Sequence, residues 1–198
     1  MRFRHCIAAS VVVVAGIAAP ARAQLVATPY IDTNVAGDVQ TGRGGLGASV
    51  GYYFRGLFGF ELDVERHPHF FRDEDVAHLV PAGVDLNTHA TLFMGNLVAP
   101  VVLSGTAGTW CPYGTAGLGL IHAVFESHGP QAPDNDDQRD LTINIGAGVM
   151  HALTDVVGFR VDARYFHALV DENARNGGYA KDYGFWRVSV GVTFGFPR

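Results

Sequence analysis

The sequence is poor in cysteine, in charge and in long apolar runs, and each shortage excludes something. Two cysteines in 198 residues, Cys6 and Cys111, cannot staple a small secreted scaffold. Charged residues make up 17% of the chain, few for a soluble domain. The longest apolar run, Cys6–Ala19, is alanine-rich and falls short of the ~20 residues that a spanning helix needs. A basic start, Met1-Arg2-Phe3-Arg4-His5, precedes that run, and a small-x-small site, Ala21-Arg22-Ala23, follows it. Residues 1–23 therefore read as a cleaved secretory signal peptide, with Gln24 as the mature N-terminus. Cys6 opens the apolar run and does not follow it, which argues against a lipid-modified cysteine. Cys111 is then the one cysteine left and reads as a small apolar residue.

Loss of Arg2, Arg4 and Arg22 lowers the basic count from 14 to 11 against 19 acids, a formal charge of −8. Such a surface repels nucleic acid. No amphipathic helix of convincing length remains in 24–198.

What the chain does have is glycine, 25 in all, and alternation. In the stretch Trp186–Phe196, positions Val188, Val190, Val192, Phe194 and Phe196 are apolar, while 187, 189, 191, 193 and 195 are polar or glycine. Period-two alternation marks a strand with a different solvent on each face. Seven further candidates precede it: Val26–Val35, Gly45–Phe54, Phe58–Arg66, Leu86–Leu97, Pro112–Val124, Leu141–Met150 and Val157–His167. The fourth sets Ala90, Leu92 and Met94 against His89, Thr91 and Phe93. At about 10 residues each, these strands have the length of tilted transmembrane β-strands.

Connections alternate in length. Residues 55–57 and 151–156 are short, whereas 67–85, 125–140 and 168–185 are long, polar and acidic. Short turns on one rim and long loops on the other are the outer-membrane pattern. The connection Val98–Cys111 departs from it, so either the fourth strand runs on or that rim carries an excursion. In an eight-stranded barrel the third and seventh strands lie opposite one another. Glu61, Asp63 and Glu65 would then face Arg160, Asp162 and Arg164 across a lumen just wide enough for side chains. These six are the candidate lumen charge network, paired because unpaired buried charge is costly. Inward glycines would make room for them.

Apparent chemical motifs read as structure. Gly47-Ala48-Ser49-Val50-Gly51 resembles a nucleophile elbow but lies within a strand. Gly42, Gly44 and Gly47 open no helix, as a dinucleotide fingerprint must. Asp134–Arg139 has Arg139 where a calcium loop needs glycine. Arg72-Asp73-Glu74-Asp75 reads as a solvated loop; His67 and His69 with His78 could bind a metal if the loop folded back, but read as polar loop residues. His89, if inward, would be a hydrogen-bonded lumen residue. No compact His–Ser or His–carboxylate constellation of the lipid-modifying kind stands out. Neither an enzyme, a cofactor nor a metal is expected.

The chain is similar to the small eight-stranded outer-membrane barrels of the opacity-type and OmpA-like group. The likeness rests on Thr28-Pro29-Tyr30-Ile31, Gly51-Tyr52-Tyr53-Phe54, Met94-Gly95-Asn96-Leu97, Pro112–Gly119, Gly146-Ala147-Gly148-Val149 and Arg160–Phe166, in that order. It covers essentially all of 24–198. The group shares a fold and a location more than an activity; Pro197-Arg198 after Phe196 departs from its aromatic terminus.

An all-β, up-and-down transmembrane barrel in the outer membrane is therefore expected, monomeric, with an interaction role through its acidic loops. Its partners would be outer-membrane lipid, the barrel-assembly machinery and surface ligands. A secreted soluble barrel holding an apolar ligand is the alternative, and a narrow conduit or lipid-modifying enzyme are lesser ones. Tyr30, Tyr52, Trp110, Tyr113, Tyr165 and Trp186 near strand ends are expected to form interfacial girdles.

Overall fold

A computed structural model of the chain describes residues 24–54, 58–71, 85–101, 110–128, 136–169 and 182–195. The expected signal peptide, Phe196 and most of the long connections lie outside these residues. Eight strands form: β1 (Gln24–Gly37), β2 (Gly44–Phe54), β3 (Phe58–Pro68), β4 (Asp85–Pro100), β5 (Trp110–His128), β6 (Asp136–Ala152), β7 (Val157–Leu169) and β8 (Tyr183–Phe194). Each pairs antiparallel with the next, and β8 returns to β1 through partners such as Tyr30↔Gly191 and Ile31↔Val190. Closure removes both sheet edges, the condition for carrying strands through lipid.

Alternation sets the two faces. Leu25, Ile31, Leu46, Val50, Leu62, Leu118, Ile145, Val190, Val192 and Phe194 point outward and are exposed. Glu61, Asp63, Glu65, Arg160, Asp162, Arg164 and Arg187 point inward and are buried. Charge inside and hydrocarbon outside overturns the alternative of a soluble barrel with an apolar ligand, which needs the reverse.

Aromatic clusters mark both rims of the apolar band. Near the short turns stand Tyr52, Phe54, Phe58 and Phe60, with Trp110 against His151 and Phe159. Near the loop end Tyr165 meets Trp186. Tyr30 and Tyr113 do not join these girdles; both are buried in the lumen. Their parity explains the correction, since Tyr30 shares the inward face with Asp32 and Asn34, and Tyr113 with Thr115.

The strands are longer than alternation alone suggests, above all β5 with 19 residues and β6 with 17. β4 runs on to Pro100, and the Val101 amide donates to the Pro112 carbonyl at 2.8 Å. The long connection expected at Val98–Cys111 is thus partly strand.

In the loop-end extension the faces exchange character. Ala90, Leu92 and Met94 point inward, and Phe93 outward. His89 is also outward, 4.0 Å from Glu126, and not a lumen residue. The extension is filled by Leu92, Ile121, Phe125, Phe166 and Phe185, and by Phe70 and Phe71 beyond the end of β3. Phe71 stacks on Phe125 and Phe166 on Phe185. At the turn end a second apolar cluster, Val26, Tyr53, Val98, Tyr113 and Met150, fills the lumen. The charged layer lies between the two.

Gly37 shows how tightly the loop end closes. Its φ is +120°, and an added Cβ would stand 2.3 Å from the Gly184 carbonyl oxygen. Only glycine fits both the dihedral and the approach.

Candidate functional site

The lumen ion-pair layer is built from β3, β7 and β8. Successive inward positions of β3 carry Glu61, Asp63 and Glu65, and those of β7 carry Arg160, Asp162 and Arg164. Arg160 is ion-paired with Glu61 and donates from Nε to Asp162 at 3.1 Å. Arg164 Nη2 donates to Glu61 at 2.9 Å and Asp162 at 3.2 Å, while Nη1 reaches Asp63 at 3.5 Å. Five of the six candidate residues thus stand in one connected cluster, and Glu65 joins it through Arg187 and Tyr30.

Several further members are not assigned to this network by the sequence. Arg187 pairs with Glu65 and lies 3.9 Å from Asp63 and 3.8 Å from Asp162. The Tyr30 hydroxyl bonds Asp63 and lies 3.0 Å from Glu65. Tyr113 donates to Asp162 at 2.9 Å, and Tyr53 to Glu61 at 3.3 Å. Ser49 lines the same layer from mid-strand, with no elbow around it. Arg187 was legible as a polar position of the closing strand, but its partners lie on β3 and β7, out of reach of local pattern.

Glycine makes room here, though mainly for rings. A Cβ at Gly47 would stand 2.2 Å from the Tyr30 ring, and one at Gly148 2.3 Å from the Tyr113 hydroxyl. Gly146 does the same for Arg164. So packed, the layer leaves a cavity of about 10 Å³ among Tyr30, Ser49, Asp63 and Arg187, room for about one water.

His67 is not a loop residue. It is the last inward side chain of β3, buried, with Nε2 3.0 Å from Asp32 and 3.3 Å from Glu65. His69 lies past the strand with φ +54°, and His78 is outside the described residues. On the outer wall His122 and Asp137 come within 3.1 Å, a His–carboxylate pair that sequence reasoning missed because it crosses from β5 to β6. Among the described residues no hydroxyl is hydrogen-bonded to that imidazole.

Outwardly the closing strand presents Val188, Val190, Val192 and Phe194 to the apolar band. A closed eight-stranded sheet, apolar outside, girdled at both rims and ion-paired within, defines the class of outer-membrane barrels. The chain belongs to the outer membrane protein beta-barrel domain family, which it matches over residues 7–194, and it resides in the outer membrane. Its fold is similar to that of Neisserial surface protein A (TM-score 0.59, 17% identity, 88% of this chain and 97% of that one). It also resembles the N-terminal barrel of Pseudomonas aeruginosa OprF (0.53, 18%, 87% and 97%). A third is Ail, the attachment invasion locus protein of Yersinia pestis (0.50, 17%, 87% and 98%). No curated protein shows significant sequence similarity to the chain.

Proposed function

We propose that this protein is a non-conducting, non-enzymatic scaffold of the outer membrane that works through its outer end. The observation that carries the reading is the filled lumen. Two apolar clusters bracket a layer of ion pairs whose cavity holds about one water. A solute path would have to break buried guanidinium–carboxylate pairs, which are strongly destabilised when one partner is lost. What remains available to partners is the loop end, where the acidic connections lie and where the wall carries His89, His122, Glu126, Asp137 and Arg139 outward. Lipid of the outer membrane would cover the apolar band, the assembly machinery would insert the barrel, and a monomer suffices for both. Ail, whose name assigns it to attachment, offers a precedent for surface work on this fold.

The test has two arms. Purified protein in planar bilayers should give no steady conductance steps. Cells displaying the full chain should adhere to host-cell or mineral surfaces more than cells whose chain has shortened 72–84, 129–135 and 170–181. A stable open channel, or adhesion indifferent to all three loops, overturns the reading.

A further inference from the structure

We infer that Asp32, Glu65 and His67 form a binding site for one divalent transition-metal ion, at the junction of the charged layer and the loop-end apolar core. Each offers one ligand atom, and these atoms lie within 4.8 Å of one another, all on buried residues. His67 Nε2 stands 3.0 Å from Asp32 Oδ1 and 3.3 Å from Glu65 Oε1. Those separations match the roughly 3.3 Å edges of a tetrahedron built on ~2.0 Å metal–ligand bonds.

Asp32 points to a missing partner independently. It is 6% exposed, and neither carboxylate oxygen accepts a well-formed hydrogen bond, the close His67 Nε2 included. An ionised carboxylate left so in a low-dielectric interior is costly unless a cation faces it. The layer as a whole shows the same deficit. Five of the six buried carboxylates (Asp32, Glu61, Asp63, Glu65 and Asp162) face three guanidiniums (Arg160, Arg164 and Arg187), while the sixth, Asp140, is held apart by Gln138 and Tyr183. With His67 neutral, as a ligand must be, the excess of two negative charges is what one divalent ion cancels.

The surroundings orient the ligands. The other oxygen of Glu65 is held by Arg187 and by Tyr30, an outer shell of the kind that fixes a ligating carboxylate. Gly45 lies beside the cluster, and a Cβ there would stand 2.6 Å from both Asp32 Oδ1 and the His67 ring. One imidazole with two carboxylates selects a zinc-like ion over magnesium or calcium, which favour all-oxygen shells. Phe70 packs its ring 5.9 Å from that of His67, so the ion enters as the barrel folds or when the Phe70 segment lifts. Metal held there would tie β1 to β3 next to the loops, whatever the loops bind.

The test is uptake of Zn²⁺ or Co²⁺ by the full chain, refolded in detergent with the metal alone and dialysed before metal is counted by mass spectrometry. One ion per chain is expected, with an X-ray absorption shell of a single imidazole and otherwise oxygen. Asp32→Asn and His67→Gln each alter a ligand and should weaken binding by at least the ~10–100-fold that loss of an outer-shell partner costs, with the heat-sensitive gel shift of the folded barrel retained. His69→Gln should change nothing. No stoichiometric uptake by the wild type would leave a His67–Asp32 ion pair and overturn the site. So would a shell with two or more imidazoles, or uptake unaffected in both variants. If neither variant folds, the donor set of the wild-type ion decides.

Discussion

Two rungs of the sheet, one residue pair apart, face different solvents. Phe93, Leu120 and Leu141 are cross-strand partners on the outer wall, and so, one outward position nearer the loops, are Thr91, His122 and Arg139. Turnward of this boundary the wall is apolar and the lumen holds the ion pairs. Loopward the wall carries His89, Glu126 and Asp137, and the lumen holds Leu92, Ile121 and Phe125. The same alternation thus serves a membrane protein in one half and a water-soluble barrel in the other. Along β4, β5 and β6 its phase holds and only the identity of the residues changes, whereas β1 carries a register shift between Asn34 and Ala36. Where lipid ends, the outside must bond to water, and the inside is free to be an ordinary hydrophobic core.

Breaking the charged half should have the largest effect. Arg164→Ala leaves Glu61, Asp63 and Asp162 short of a partner and should cost about 3–5 kcal/mol, read as a lower urea midpoint for loss of the fast-migrating gel band. An unchanged midpoint would show that the pairs do not hold the barrel together. Charge placed on the wall comes next. Leu62 is 73% exposed in the middle of the apolar band, so Leu62→Arg should cost about 2–4 kcal/mol in a bilayer, measured by the same gel in liposomes. A cost below that of a loopward wall substitution would move the lipid boundary.

In the loop half the effect should be smaller and local. Phe71→Leu loses the stacked contact with Phe125 and should cost about 1 kcal/mol. Faster amide exchange should appear in 85–92 and 121–128, without a change at Val188–Phe194. Exchange quickening throughout would mean the two halves are one cooperative unit. Last, Asp137→Asn removes the exposed pair with His122 and should change stability by less than about 1 kcal/mol; a larger loss would place that pair under load.

How much of this was legible follows from the range of the interactions. Strand number, antiparallel order and the facing of Glu61, Asp63, Glu65, Arg160, Asp162 and Arg164 depend on parity along single strands, which the sequence displays. The change of face character in β4 was harder, because Ala90, Leu92 and Met94 look lipid-facing until Phe93 and Leu97 are weighed against them. Tyr30 and Tyr113 went to the girdles because aromatics near strand ends often sit there, although parity with Asp32 and Thr115 pointed inward. His67 and Asp32 are 35 positions apart and meet only because β1, β2 and β3 are adjacent. No local pattern reports such a meeting.

The network also has a consequence in time. Glu61 is answered by Arg160 and Arg164, 99 and 103 positions later, and Glu65 by Arg187 on the last strand. A chain synthesised from its N-terminus therefore exposes its acidic strand long before any of its counter-charges exist. Charges on β3 cannot enter hydrocarbon alone, so the early strands have no stable membrane-inserted state to wait in. The charged lumen therefore has all its guanidiniums only once β8 arrives, which favours closing the barrel before or as it enters lipid. A chain truncated before Arg187 should leave no half-inserted remnant, only protein exposed to periplasmic proteases.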